Sequence, residues 1–266
     1  MKFQVFVLTL FAQAVLGSDV ERIGTISDPE IKECSGVVAS RQFPDVFWTH
    51  NDGKKEQLFA INRKGETLAE FKVKGAKFED WEDITLDANN NLYAADTGNN
   101  NEKRQTIAVY QFPEPNPKSG GKSVHIARQW TARYPLVPRD CESILVIGTN
   151  CFLISKVTHN RLAEVFTFAL QDSAEPITLK ALGSLLINSP VTAAAFSPDT
   201  RRLAAISKEG AFFFDFDGTF PARGVMQPVR QVPFHHESIE GCTFVTEGLL
   251  ITAESREIFL IKNTSH

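Results

Sequence analysis

The chain of 266 residues carries a formal charge of −4, with 42% hydrophobic and 23% charged residues, an ordinary globular composition sufficient for one large or two small domains. A weakly acidic chain without basic clusters argues against nucleic acid as a partner. Twenty-one phenylalanines, two methionines and frequent Thr/Val/Ile runs without helical periodicity predict an all-β protein.

In chain order, Met1-Lys2 is followed by an apolar run from Phe3 to Leu16, broken by Gln13 and two small or polar residues, and then by Gly17-Ser18. A basic start, a short apolar core and small residues at the end predict a secretory signal peptide over residues 1–17. The run is shorter than the ~20 residues a bilayer span needs, and no second run reaches that length. The mature chain, residues 18–266, then loses only Lys2 among charged residues and carries −5. It is expected to be secreted or periplasmic, with no membrane span and as a monomer. Cys34, Cys141, Cys151 and Cys242 form an even set, so two disulfides with three connectivities are open. Small buried thiols are the alternative for Cys151 and Cys242. No CxxC spacing suggests zinc or a redox site.

A plan then recurs: a polar residue, a small residue, an apolar strand, a tight turn, a second apolar strand and a closing polar residue. It is found at "CSGVVASRQFPDVFWTHND" from Cys34, "WEDITLDANNNLYAADTG" from Trp81 and "CESILVIGTNCFLISKV" from Cys141. Weaker copies start at Val191 ("VTAAAFSPDTRRLAAISKEG") and Ile239 ("IEGCTFVTEGLLITAESRE"). Aligned, they place Ser35, Glu82, Glu142, Thr192 and Glu240 in one column, at steps of 47, 60, 50 and 48 residues. A strand-rich period of about 50 residues is the signature of a β-propeller with one four-stranded blade per repeat. The remaining strands are "EQLFAIN" and "ETLAEFKV", "TIAVYQF" and "SVHIARQW", "AEVFTFAL" and "ITLKALGSLL", "AFFFDFD" and "VRQVPF". The last repeat has only "EIFLIKN", so "ERIGTIS" from Glu21 is expected to close the ring and remove an open edge. The prediction is a single five-bladed domain. Six blades are the alternative, because the 60-residue step contains "PEPNPKSGGKS", and a β-sandwich or two small β domains are the other options.

In a regular hairpin, facing residues sum to a constant index. That rule sets Glu82 against Asp96, Glu142 against Lys156, Glu240 against Glu254, Thr192 near Ser207 and Ser35 near Asn51, all around one mouth of the channel. Close to this ring in sequence lie Asp52, Asp80, Asp83, Arg104, Arg139, Asp140, Lys208, His235, His236 and Glu237. Facing carboxylates repel until a proton, a basic neighbour or a bound cation relieves them. The expected cation ligands are Glu82, Asp96, Glu240 and Glu254, and hard oxygen donors without thiolate spacing favour Ca²⁺. Glu79, Asp80, Asp83 and Asp87 are read as rim and turn residues. Phe78 and Trp81 are either core packing between blades or a stacking platform. "DTGNNNEKR" is either an oxygen-rich calcium loop or a surface turn. Of His235 and His236, adjacent on a strand, at most one is expected to face the site. No GxSxG, HExxH, GxGxxG or phosphate-loop motif is present, and the single sequon, Asn263-Thr264-Ser265, is compatible with export.

At "ECSGVVASRQFPDVFWTHNDG", "GAKFEDWEDITLDANNNLYAADTGNN…R…IAVYQFPEP", "YPLVPRDCESILV…LISK" and "VTAAAFSPDTRRLA", the sequence resembles a group of secreted propellers of largely unassigned function. These look related to the esterase-like phytase and SdiA-regulated propeller families. The resemblance, from about Glu33 to Glu254, implies a propeller, export and calcium, with no catalytic residue list. Departures are Cys141 and Ser143 around Glu142, and Thr192 in place of a carboxylate.

Two functional expectations follow. The first is an exported ligand-binding or structural propeller with a calcium-holding acidic funnel. The second is a hydrolase of phosphoesters, glycosides or lactones, with Glu82 and Glu142 as general acid and base and Lys156 beside them. A metal-activated water would serve the lactonase form. Asn51, Asp52, Arg104, Arg139, Lys208 and His236 are the candidate contacts to a small-molecule, carbohydrate or phosphoester ligand.

Overall fold

Apolar residues at alternate strand positions give each small sheet two faces to bury, and in a ring each face can be covered by the next sheet. The computed structural model describes residues 19–157 and 161–263. The predicted signal peptide lies outside them, as does most of the sequon. β1 (Val20–Thr25) precedes the first blade, which consists of β2 (Cys34–Ala39), β3 (Phe47–Asn51), β4 (Gln57–Ile61) and β5 (Thr67–Lys74). The second blade follows with β6 (Trp81–Leu86), β7 (Asn91–Asp96) and β8 (Ile107–Pro113), then the short β9 (Ser123–His125) and β10 (Arg128–Arg133). The third has β11 (Cys141–Ile147), β12 (Asn150–Ser155), β13 (Ala163–Ala169), β14 (Ile177–Thr178) and β15 (Lys180–Leu185). The fourth has β16 (Val191–Phe196), β17 (Arg202–Ser207), β18 (Gly210–Asp215), β19 (Val225–Met226) and β20 (Arg230–Pro233). The fifth is β21 (Ile239–Val245), β22 (Gly248–Ala253) and β23 (Glu257–Lys262), completed by β1, which runs antiparallel to β23.

These are five sheets, each beginning at the channel with β2, β6, β11, β16 or β21, and neighbouring inner strands touch around a closed circle. Closure by β1 agrees with the expectation, and no sixth sheet occurs among the described residues. Three blades have a fifth strand that the four-stranded reading did not foresee. β9, β14 and β19 leave the second, third and fourth blades and pair in parallel with β5, β10 and β15 of the blade before. "SVHIARQW" and "ITLKALGSLL" each divide between two blades for this reason. The added strands satisfy edge groups that would otherwise face solvent unpaired.

The core is five apolar layers, one between each pair of adjacent blades. Between the first and second blades, Trp48, Leu58 and Phe71 meet Ile84, Leu92 and Phe112. Trp81 lies fully buried in this layer, stacked on Phe78 at 4.2 Å and on His50 at 4.0 Å, so the aromatic pair beside the carboxylates is core. His50 is neutral there, because burial lowers its pKa to about 3.

The predicted disulfides are not formed: all four cysteines are free and buried. Cys34 lies between the fifth and first blades, Cys242 between the fourth and fifth, and Cys141 and Cys151 between the second and third. The last two are on paired strands, but Cys141 faces Ser155 and Cys151 faces Val146. Four rungs, about 13 Å along the strand, separate them, beyond disulfide reach. Burial raises all four thiol pKa values, that of Cys34 to about 11. Denatured but unreduced protein should titrate four thiols with Ellman's reagent, and dithiothreitol should leave the melting temperature unchanged; fewer thiols would overturn this assignment.

Candidate functional site

Every inner strand carries a one-residue bulge at the same place. The pairing with its neighbour shifts between Cys34 and Val37, Trp81 and Asp83, Cys141 and Ser143, Val191 and Ala193, and Ile239 and Gly241. The aligned column Ser35, Glu82, Glu142, Thr192, Glu240 falls within these five bulges. A bulge re-aims the extra side chain and bends the strand, so the column is placed around the mouth by one repeated backbone device. It also corrects the hairpin register. Asp96 faces Trp81, Ala253 faces Ile239 and Ser155 faces Cys141.

The consequence is largest for Asp96. Its carboxylate is held by Arg104 Nη2 at 2.6 Å and Nη1 at 3.0 Å, and accepts the backbone N–H groups of Glu79 at 3.0 Å and Asp80 at 2.8 Å. It braces the loop entering β6. Arg104 also reaches Glu79, whose side chain is 70% exposed. Arg139 pairs with Glu164. Asn51 accepts the N–H groups of Lys32 and Glu33 and donates to Glu30, which ties down the loop before β2. Lys208 reaches Glu237 at 3.5 Å. His236 packs edge-on against Phe259, while exposed His235 bonds Glu209 and Glu237. In "DTGNNNEKR", Asn99 folds inward, accepting from Lys103 and Arg104 N–H and donating to the Arg139 carbonyl.

The structure gathers a different set around Glu82. Two groups of three carboxylates each have oxygens within 4.8 Å of one another: Asp52, Asp80 and Glu82, and Glu82, Asp140 and Glu142. Glu240 and Glu254 belong to neither. Asp52 follows β3 of the first blade, Asp80 and Glu82 open the second, and Asp140 and Glu142 open the third. Asp140 is anchored by the Asn99 N–H at 2.8 Å. Ser35 Oγ donates to the Glu82 carbonyl at 2.5 Å, fixing the bulge. Gly98 makes room: a Cβ there would lie 2.2 Å from Glu82 Oε1 and 2.3 Å from Asp80 Oδ2.

Partners are scarce. Glu142, 4% exposed, pairs with Lys156 through Oε1, while its Oε2 is buried without a partner. Asp52 Oδ1 is also buried and unpartnered, and no side chain among the described residues donates to Glu82, 7% exposed. Burial raises the Glu82 and Glu142 pKa values; neighbouring carboxylates add to this, while Lys156 opposes it at Glu142. Burial and then Asp80 raise Asp52 to about 6. Burial, Glu142 and Glu254 raise Glu240 to about 8. Asp80 and Asp140 are raised by burial as well.

Asp80 therefore belongs to the cluster and is more than a rim residue. Asp83 is fully interior, accepting the Ile84 N–H at 2.8 Å and the Ile144 N–H at 2.9 Å, which couples the second blade to the third. Asp87 does the expected turn work, accepting from Asn89, Asn91 and Tyr93. The signal for Asp80 and Asp140 is a repeated Asp-x-Glu, Asp80-Trp81-Glu82 and Asp140-Cys141-Glu142, at the entry to successive inner strands.

No protein-family model matches the chain, and no curated protein matches it, so the phytase and SdiA-regulated resemblance finds no support there. Solved structures match with TM-scores below 0.5. One is virginiamycin B lyase from Staphylococcus aureus, 11% identical, covering 91% of this chain and 69% of that one, with TM-score 0.46. Another is a nidogen/laminin complex, 12% identical, covering 83% and 72%, with TM-score 0.47. A chain of a mitotic checkpoint complex is 8% identical with TM-score 0.45; 86% of this chain is covered, and the chain spans 61% of that one's length. The five-bladed assignment rests on the strand pairing itself.

For the cation-free protein, the sign of pH dependence follows from Glu240. Its folded pKa lies above the unfolded one, so the folded state holds a proton that the unfolded state releases, and stability falls as pH rises from about 4.5 to 8. With a chelator present, Glu240→Gln should flatten this fall and stabilise the protein at pH 8 by on the order of 2 kcal/mol. Denaturant melts at pH 5 and pH 8 read both effects, and an unchanged slope would refute the assignment.

Proposed function

We propose that the protein is an exported, monomeric propeller that binds a divalent cation, most suitably Ca²⁺, in the acidic mouth of its channel and uses it to hold a small-molecule ligand. The observation that carries this reading is the convergence of four carboxylates on Glu82, five in all, with one amine, Lys156, in ion-pair contact with any of them among the described residues. Carboxylates removed from water need charge compensation, and an all-oxygen donor set suits calcium. The leader-like segment from Met1 to Gly17 supports export, and among the described residues there is no helix long and apolar enough to cross a membrane. The ligands expected from sequence, Glu82, Asp96, Glu240 and Glu254, reduce in this reading to Glu82, joined by Asp52, Asp80, Asp140 and Glu142. Asp96 becomes a buttress.

Calcium at about one hundred times its Kd should add about 2.7 kcal/mol of stability, or roughly 5–10 °C in Tm for a chain of this size. EDTA should reverse the gain, and Glu82→Gln should abolish it. A Tm indifferent to both calcium and EDTA would sink the proposal.

The hydrolase reading is the alternative for a cation-free mouth, where Glu82 is a carboxyl whose burial favours its protonated form, as a general acid requires. Glu142 with Lys156 would be its partner. Turnover of phosphoester, glycoside or lactone substrates that disappears in both Glu82→Gln and Glu142→Gln, with folding intact, would establish it. A silent panel with full calcium binding leaves the binding module.

A further inference from the structure

We infer that the end of the channel opposite the acidic mouth binds a small apolar carboxylic acid, its carboxylate held by Arg41 and its apolar body enclosed by the inner strands. This second site needs no cation and stands apart from the reading of the mouth given above.

Geometry supplies the enclosure. Glu82 and Glu142 stand where the inner strands begin, whereas a cavity of about 260 Å³ lies along the later halves of the same strands, and all five contribute to its wall. Val37, Ile84 and Leu86 come from the first two blades, and Val146, Ala194 and Phe244 from the other three. Ala39 and Ala195, also in the wall, keep the space open where longer apolar side chains would fill it and gain burial. Phe196 and Phe244 line it and remain half-buried, so the wall offers aromatic surface that the fold itself does not cover.

Charge selects the occupant. Arg41 is the one charged side chain in the wall, and no carboxylate lines the cavity. Arg63, Arg104 and Arg139 are each held by acidic partners, but Arg41 is exposed and pairs with no carboxylate among the described residues. A free guanidinium at the edge of an apolar cavity matches a carboxylate, which it can hold through two parallel hydrogen bonds. Thr243 Oγ1 accepts the Ala39 N–H at 3.0 Å, which leaves its own O–H to donate into the cavity. An amine would be repelled by Arg41, and a sugar would leave its hydroxyls without partners along Val37, Ile84 and Leu86. Benzene fills an apolar cavity of about 150 Å³, so about 260 Å³ suits an acid of roughly eight to ten carbons, as a chain or as a ring with a short tail.

The test is titration calorimetry of the purified protein with octanoate, 1-octanol and octylammonium, with circular dichroism as the folding control. Wild type should bind octanoate about tenfold or more tightly than either of the others, as a charge-assisted pair with Arg41 requires, and EDTA should leave that affinity unchanged. Arg41→Ala, at an exposed position, should weaken octanoate about tenfold and leave 1-octanol within about twofold. Ala195→Leu should fill the cavity and abolish binding of both; Val146→Phe serves the same purpose where Ala195→Leu fails to fold. Octanoate bound no more tightly than 1-octanol, or unaffected by Arg41→Ala, overturns the carboxylate assignment. Full binding in a folded, filled variant overturns the location, and loss of binding in EDTA would move octanoate to the acidic mouth and overturn it equally. Folded wild type that binds none of the three overturns the site and leaves the cation-binding reading as it stands.

Discussion

Each blade is a thin sheet with an apolar face on either side, and neither face is covered until a neighbour stands against it. That demand governs the molecule. It holds Trp48 and Phe71 of the first blade against Ile84 and Phe112 of the second, and it requires β1 to travel to β23 so that the last interface also closes. Once the circle is shut, five inner strands converge on one axis, and whatever their entrance residues carry is brought together. A serine, a threonine and three glutamates occupy that entrance, each at a bulge. The chemistry of the mouth is therefore a by-product of packing geometry, tuned by single residues.

The burial that makes the ring stable also makes its mouth costly. Glu82 and Glu142 are withdrawn from water by the same inter-blade layers that seal Trp81 and Ile144. Uncompensated negative charge there opposes closure. The buttress of Asp96 by Arg104 and the Glu142–Lys156 pair answer part of this, and the remaining carboxylates are left with protons or cations as partners.

The propeller was legible because its period is written in strand-turn-strand units that survive divergence of the individual residues. The closing strand could be found because the last repeat is one strand short. The site was harder to read. An extra residue at the start of β6 does not disturb the polar-apolar plan; the pairings from Asp83 to Leu86 keep the constant sum, but the one beyond the bulge slips by one, so the counting rule set Glu82 against Asp96 where the fold sets Trp81. Asp80 and Asp140 were visible as an Asp-x-Glu repeat but had no register to promote them above the rim. The cysteine count could not show that Cys34 and Cys242 lie in two other layers, or that Cys141 and Cys151, which share one, stand four rungs apart. β9, β14 and β19 are two or three residues long, too short for alternation to mark.

Those short strands also divide the ring unequally. β9 fastens the second blade to the first, β14 the third to the second, and β19 the fourth to the third, while no such staple among the described residues crosses from the fifth blade to the fourth. The five clustered carboxylates come from the first, second and third blades, inside the stapled arc. The unstapled contact between the fourth and fifth blades borders none of these three. Thermal opening at that contact would leave the carboxylate cluster assembled, so that breathing of the propeller and integrity of the cluster are mechanically separated.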